Sequence, residues 1–154
     1  MRVYRLQKQR YVDTFLDGEG SRRTGGRWNP VGTPLLYTST TPELAMLEVM
    51  VHTDGTPLRD MPPLIQVELE IPDSVEVIAE EELPAGWDQI VAPNGLAQFL
   101  LPRLQPSYPV LAFSVPSVVM KHTPSRNILL NPQHPLMQQA QIVQVIDHIF
   151  DERL

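Results

Sequence analysis

The sequence predicts one α+β domain, an antiparallel sheet with short helices, and three observations carry that reading. At 154 residues the chain has the length at which one hydrophobic core makes an ordinary domain. Sixteen prolines and eight glycines punctuate it into short elements joined by many turns. Finally, Ile65, Val67, Leu69 and Ile71 alternate with Gln66, Glu68 and Glu70, the period of two that gives a strand one buried and one wet face.

Taken in chain order, Arg2 to Leu6 is the first strand candidate and Leu35 to Ser39 the second. The turn between them, GGRWNPVG, sets an arginine, a tryptophan and an asparagine among three glycines. The best helix begins at TTPELAMLEVMVH. Either Thr40 and Glu43 form a capping box, or Thr41 caps with Pro42 at the first helical position. Leu64 to Ile71, Val75 to Ile78, Val110 to Val115 and Ile142 to Ile149 supply the remaining strands. Two further helices are expected, one from Asn94 to the break before Pro102 and one after Pro132.

Composition excludes several classes. No run of about 18 apolar residues exists to span a bilayer, and MRVYRLQKQR is too charged to be the apolar core of a signal peptide. The absence of cysteine removes disulfides, thiolate chemistry and Cys zinc sites, and suits a reducing cytoplasm. His52, His122, His134 and His148 show no ligand spacing such as HExxH, so no metal is expected. A formal net charge of −6 argues against nucleic acid, which calls for a basic face. That total hides an asymmetry, because residues 1–27 hold seven bases against three acids. The local excess suits a small anionic ligand.

Two features point to chemistry. Leu44, Leu47, Glu48 and Val51 fall at i, i+3, i+4 and i+7 of the helix, which places Glu48 on the core-facing stripe. A carboxylate there is costly unless it is paired, hydrated or protonated. Glu48 is therefore either a functional group or the partner of a nearby arginine. Arg27, in the glycine-rich turn, offers a planar fork for a phosphate or carboxylate, and Gly25, Gly26 and Gly32 allow backbone amides to approach the same ligand. The turn matches neither of the standard phosphate-loop patterns.

The segments MRVYRL, GEGSRRTGGRWNPVGTPLLYTSTTPELAMLEVMVH, LPAGW, FSVPSVVM and NILLNPQHP together resemble the RES domain, named for an Arg, a Glu and a Ser. The resemblance spans nearly the whole chain, as a single domain over residues 1–154. It implies the toxin of a bacterial type II toxin–antitoxin pair with an ADP-ribosyltransferase-like fold, in which NAD is bound in the cleft of a split β-sheet and consumed. The residues it carries over as catalytic are Arg27, Tyr37, Glu48 and Ser117. By the same resemblance, Glu48 faces the ribosyl cation or grips a ribose hydroxyl, and Arg27 holds the pyrophosphate or the adjoining ribose. Tyr37 offers its ring to nicotinamide, and Ser117 hydrogen-bonds the nicotinamide ribose or amide. Gly26, Trp28, Asn29 and Asn127 complete the NAD site, with Trp28 packing the loop, Asn29 tying the turn before Pro30, and Asn127 bracing. Asn131 and His134 look like turn chemistry.

The implied acceptor of ADP-ribose is phosphate, water or a protein side chain, and a protein ADP-ribosyltransferase with one cellular target is the alternative enzyme. A non-catalytic nucleotide- or protein-binding module is the rival outside enzymes. The implied partner is an Xre-like helix-turn-helix antitoxin that carries the DNA contact, with a possible homodimer inside the complex. One departure stands out: after VPSVVM the chain reads KHTPSRN, placing Lys121, His122 and Arg126 where an acidic residue is expected.

Overall fold

The computed structural model describes residues 1–147, 150, 151 and 153. Seven strands, β1 (Arg2–Lys8), β2 (Leu36–Ser39), β3 (Leu64–Glu70), β4 (Val75–Val77), β5 (Ala112–Pro116), β6 (Arg126–Leu130) and β7 (Gln141–Ile146), form one sheet in the order β4-β5-β6-β2-β1-β3-β7. Neighbours are antiparallel except β4 and β5, which run parallel. The antiparallel expectation fails there because residues 78–111 intervene, a connection long enough for a crossover.

The sheet forks at its centre. β1 pairs with β3 along its whole length, from Arg2↔Glu70 to Lys8↔Leu64, and β2 pairs with β6 from Leu36↔Leu130 to Ser39↔Asn127. Between β1 and β2, however, the only pair is Tyr4↔Ser39. The two half-sheets therefore meet at one point and diverge from it, which is the split sheet that the resemblance implied.

Both faces of the β5–β6 half are covered. Ala112, Leu36, Ile128 and Leu130 join Val3, Ile65, Val67 and Leu69 in one core, while Leu35, Phe113, Val115 and Leu129 pack with Trp28, Trp87, Leu96 and Leu100 in a second. Strands buried on both sides lose their period of two and read as continuous apolar runs. This is why Arg126–Leu130 was not foreseen as a strand.

The described residues form two α-helices, α1 (Glu19–Thr24) and α2 (Pro42–Met50). The sequence reading missed α1, a single short turn that follows Gly18 in the left-handed region at φ 66°. A Cβ at Gly18 would lie 3.1 Å from the Leu35 nitrogen, so the close approach and the backbone both require glycine. In α2, Thr41 is the cap: its hydroxyl accepts from the Leu44 amide at 3.2 Å with Pro42 at the start. Thr40 instead donates to the Arg126 carbonyl at 3.1 Å. The buried face of α2 is Leu44 and Ala45, continuing to the half-buried Glu48. Val51, expected on the same stripe, is 53% exposed, because the helix ends at Met50 and Val51 is its C-cap.

The other two expected helices are not α-helical. After Asn94 the chain makes successive i→i+3 turns (Gln98 to Gly95, Phe99 to Leu96, Leu101 to Gln98) that end in a 3-10 turn at Leu101–Arg103. Gly95, in the left-handed region at φ 94°, and the two prolines that lack an N–H prevent a regular ladder. After Pro132 the helix is the 3-10 turn Pro135–Gln139. The expected continuation of the last strand to Ile149, like His148, lies outside the described residues. Among the described residues no helix is long and apolar enough to cross a membrane.

Candidate active site

The glycine-rich turn is held together by Asn29, which is fully buried. Its amide nitrogen donates to the Ser21 carbonyl at 3.0 Å and the Thr33 carbonyl at 2.8 Å. Its oxygen accepts the Tyr37 hydroxyl at 2.6 Å. The Trp28 amide in turn donates to that hydroxyl at 3.1 Å. Burial pushes the Tyr37 phenol up to about 12, so it remains a neutral donor near pH 7 and its ring is fixed against the turn. Trp28 is buried in the second core, the packing role expected for it.

Gly26 is required by this arrangement, since a Cβ there would stand 2.5 Å from the Tyr37 hydroxyl. Gly26→Ala should break the Tyr37–Asn29 bond and cost about 1–3 kcal/mol, the penalty of leaving buried polar groups unpaired. Thermal unfolding measures this, and an unchanged midpoint would contradict it.

Arg27 does not present an open fork. Its guanidinium donates to the Trp87 carbonyl at 2.9 Å, the Gln89 carbonyl at 2.9 Å and the Ile90 carbonyl at 3.1 Å. It thus ties the turn to a loop 60 residues later. Burial pulls its pKa down, opposed by the charges of Glu48, Tyr37 and Asp88, which places Arg27 in the same neighbourhood as the helical carboxylate. The loop has a second tether, Lys121 to Asp88 at 3.4 Å.

Glu48 is held by two side chains. Its Oε1 accepts from the Ser117 hydroxyl at 3.0 Å and from the Asn127 side-chain nitrogen at 2.6 Å. Ser117, nearly fully buried, follows β5 and also accepts from the amides of Val119 and Met120, both at 3.1 Å. Asn127, on β6, accepts at its oxygen from the Ser39 hydroxyl of β2 at 2.8 Å. Both described hydrogen bonds to the carboxylate therefore fall on Oε1.

A cavity of about 430 Å³ opens beside this network, lined by Tyr4, Arg5, Lys8, Tyr37, Ser39, Glu48, His52, Met61 and Asn127 among others. Arg5 stands in the fork between β1 and β2. It donates to the Tyr37 carbonyl at 2.7 Å and to the Gln7 side-chain oxygen at 3.1 Å, both neutral groups. Burial pushes its guanidinium down to about 10, and none of the described salt bridges involves it. A second cavity, of about 480 Å³, shares Arg5 as part of its wall.

The structure thus brings Tyr37, Glu48 and Asn127 to one cavity, ties Ser117 to Glu48, and turns Arg27 towards the loop instead. Sequence reasoning missed Arg5, Ser39, Lys8 and His52. The basic excess of residues 1–27 was the signal for Arg5 and Lys8, but most of that cluster is spent elsewhere. Arg2 pairs with Glu68 and Glu70, Arg22 and Arg23 pair with Glu19, and Arg10 lies over the Tyr11 ring.

The three cations of the KHTPSRN segment separate. Arg126 donates to the Ser114 hydroxyl at 2.6 Å and to the Ile78 carbonyl at 2.6 Å, and so fastens β6 to β5 and to the chain after β4. Lys121 belongs to the loop tether, and His122 lies 3.8 Å from Glu80. Asn131 and His134 do the turn chemistry expected, accepting from the amides of Gln133 at 3.0 Å and Leu136 at 3.1 Å. Among the described residues no group of three or more His, Asp or Glu is placed to hold a metal ion.

Comparison with known proteins fits this geometry. Residues 2–151 match the family model described as the RES domain. The chain is 39% identical over 145 residues to a protein named Toxin Res from Pseudomonas putida, covering 94% of each chain. It is 35% identical over 150 residues to a Prs ADP-ribosylating toxin from Sphingobium sp., covering 94% of this chain and 89% of the relative. Among solved structures, a chain of the M. tuberculosis MbcT–MbcA toxin–antitoxin complex superposes with a TM-score of 0.68 at 20% identity, over 95% of this chain and 82% of that one. That likeness establishes a shared fold. With residues 2–151 of the chain matching the family model and relatives above 30% identity named as toxins, this chain belongs to the RES domain family of toxins.

Proposed function

We propose that this RES-family toxin consumes NAD by breaking the nicotinamide–ribose bond, and that ADP-ribose passes to phosphate or water. The observation that carries the reading is the pairing, in one cavity, of a pinned carboxylate with a half-buried cation whose described hydrogen bonds go only to neutral groups. NAD needs both. Its diphosphate supplies the charge that Arg5 lacks, and its ribose develops positive charge as nicotinamide departs.

In the bond-breaking step the C1′–N bond cleaves and its electron pair leaves with neutral nicotinamide. The oxocarbenium-like ribose that remains is stabilised by Glu48 through Oε2, a fixed negative group that gains most as the charge appears. An oxygen of phosphate or of water then bonds to C1′, water giving up a proton as it does so. Tyr37 supplies the wall for the nicotinamide ring. Ser117 and Asn127 hold the carboxylate, and Gly26, Trp28 and Asn29 hold Tyr37. Arg27 keeps the Trp87–Ile90 loop in place, and would grip the pyrophosphate only on releasing those carbonyls. No role for a metal is proposed.

The relative named as a Prs ADP-ribosylating toxin favours a second reading, transfer to a protein side chain. Growth arrest through loss of NAD, or through the modified target, would follow in either case. The partner is an antitoxin, of the Xre-like helix-turn-helix kind, that blocks the cleft and contacts DNA; a homodimer within that complex belongs to the same proposal. The excess of acids after residue 27 suits a basic docking segment. Action in the cytoplasm, where NAD and such a partner are available, goes with the proposal.

Products separate the readings. Incubation with NAD should release nicotinamide together with phosphorylated ADP-ribose when phosphate is present, or free ADP-ribose when water is the acceptor, as read by mass spectrometry. Nicotinamide released only when a protein acceptor is added would favour the second reading. NAD bound but never cleaved would leave a non-catalytic module.

A further inference from the structure

We infer that Ser39 is a positioning residue for Glu48 that acts through the side-chain amide of Asn127; the inference rests on Glu48 being the carboxylate that meets the ribose. The polarity of the contacts is forced. A carboxylate only accepts hydrogen bonds, so the Asn127 atom 2.6 Å from Glu48 Oε1 has to be the nitrogen. The amide oxygen then points the other way, 2.8 Å from the Ser39 hydroxyl. That oxygen also only accepts, so the Ser39 hydrogen goes to it. The result is a one-directional relay, Ser39 to Asn127 to Glu48, in which each bond polarises the next.

The location of Ser39 gives the relay a rigid origin. Its backbone pairs with Tyr4 of β1 and with Asn127 of β6, so it sits where the two half-sheets join. Ser39 and Asn127 are direct cross-strand partners, which puts both side chains on one face within reach of each other. At 3% exposure the site gives bulk water little access to replace a lost hydroxyl. Removal of that hydroxyl leaves the Asn127 oxygen without a donor, and the amide loses the reason to aim its nitrogen at Glu48. The carboxylate then keeps Ser117 as its only fixed donor, and Oε2 is no longer held on the ribose.

The test is steady-state NAD turnover by the full chain in a double-mutant cycle. Ser39→Ala should lower kcat on the order of tenfold to a hundredfold, the loss that small misplacement of a reacting group produces, with KM for NAD within about twofold. In an Asn127→Ala background the same substitution should change kcat by less than about twofold, because the relay is already cut. Ser39→Thr and Ser39→Val match in shape and differ in the hydroxyl, so Thr should retain activity that Val loses. This pair also serves if Ser39→Ala does not fold. A purely structural serine would give equal losses in both backgrounds, or equal behaviour of Thr and Val, and either result overturns the assignment. Wild-type protein that leaves NAD intact would instead sink the reading of the whole site. An active wild type with an equally active Ser39→Ala sinks the Ser39 role alone.

Discussion

Glu48→Gln lowers NAD turnover by on the order of 10³-fold, the scale at which removal of a preorganised electrostatic partner of a transition state is felt, while the protein remains folded. The geometry separates the two effects. In the native protein Oε1 accepts from Ser117 and Asn127, and the glutamine oxygen can take the same position and accept the same two bonds. What changes is the other atom, where a neutral amide replaces the charged Oε2. The ground state loses little, because NAD carries no net positive charge at C1′ beyond the nicotinamide ring it is about to expel. The transition state loses the charge that faces the developing cation. Unfolding midpoints within a few degrees of wild type, together with a collapse of kcat, are expected. An active Glu48→Gln protein would contradict the role given to Glu48.

Arg5→Met acts on binding. The Arg5 guanidinium is buried enough to be pushed down to about 10 and touches only neutral oxygens, so its charge goes uncompensated until an anion arrives. Hydrogen bonds to charged groups contribute about 1.5–3 kcal/mol each, which predicts a rise in KM for NAD of roughly 10- to 100-fold for the loss of one. Methionine keeps the aliphatic volume in the fork, and the half-buried Arg5 charge has no described salt bridge to lose, so the fold should survive the substitution. NAD at one concentration should therefore raise the unfolding temperature of wild type more than that of Arg5→Met. Equal stabilisation of both by NAD would mean that the diphosphate is held elsewhere, with Arg27 the first alternative.

The strand most legible in the sequence was the one with a wet face, Leu64–Glu70, although Leu35–Ser39 and Val110–Val115 were also expected and lie where the sheet is covered on both sides. Arg126–Leu130 escaped because Ile128, Leu129 and Leu130 are all buried, Ile128 and Leu130 in one core and Leu129 in the other, and such a run carries no period. The segment after Asn94 misled for a related reason: Leu96, Leu100 and Leu104 recur at helical spacing and are all buried, yet Gly95 and the prolines bend the backbone into tighter turns. Glu48 was legible because an ionisable group on an apolar helix stripe breaks the local pattern. Ser39 and Arg5 break nothing, since a serine and an arginine are ordinary at alternate positions of a strand. The roles proposed for them arise from the fork between β1 and β2, and a fork is a property of pairing between distant segments. Arg27 shows the opposite limit. Its setting in the turn suggested a free fork, and the three carbonyls that occupy it come from residues 87–90, which nothing local foretells.

The most direct measurement is NAD concentration against time with the purified, antitoxin-free chain in a mixture that contains no other protein, with and without phosphate. A pinned carboxylate facing a ribose in a cleft that also holds the diphosphate predicts steady loss of NAD and release of nicotinamide, faster with phosphate if phosphate is the acceptor. NAD that stays intact in both mixtures would contradict the account, and would leave transfer to a specific protein target, or binding without catalysis, as what this cleft does.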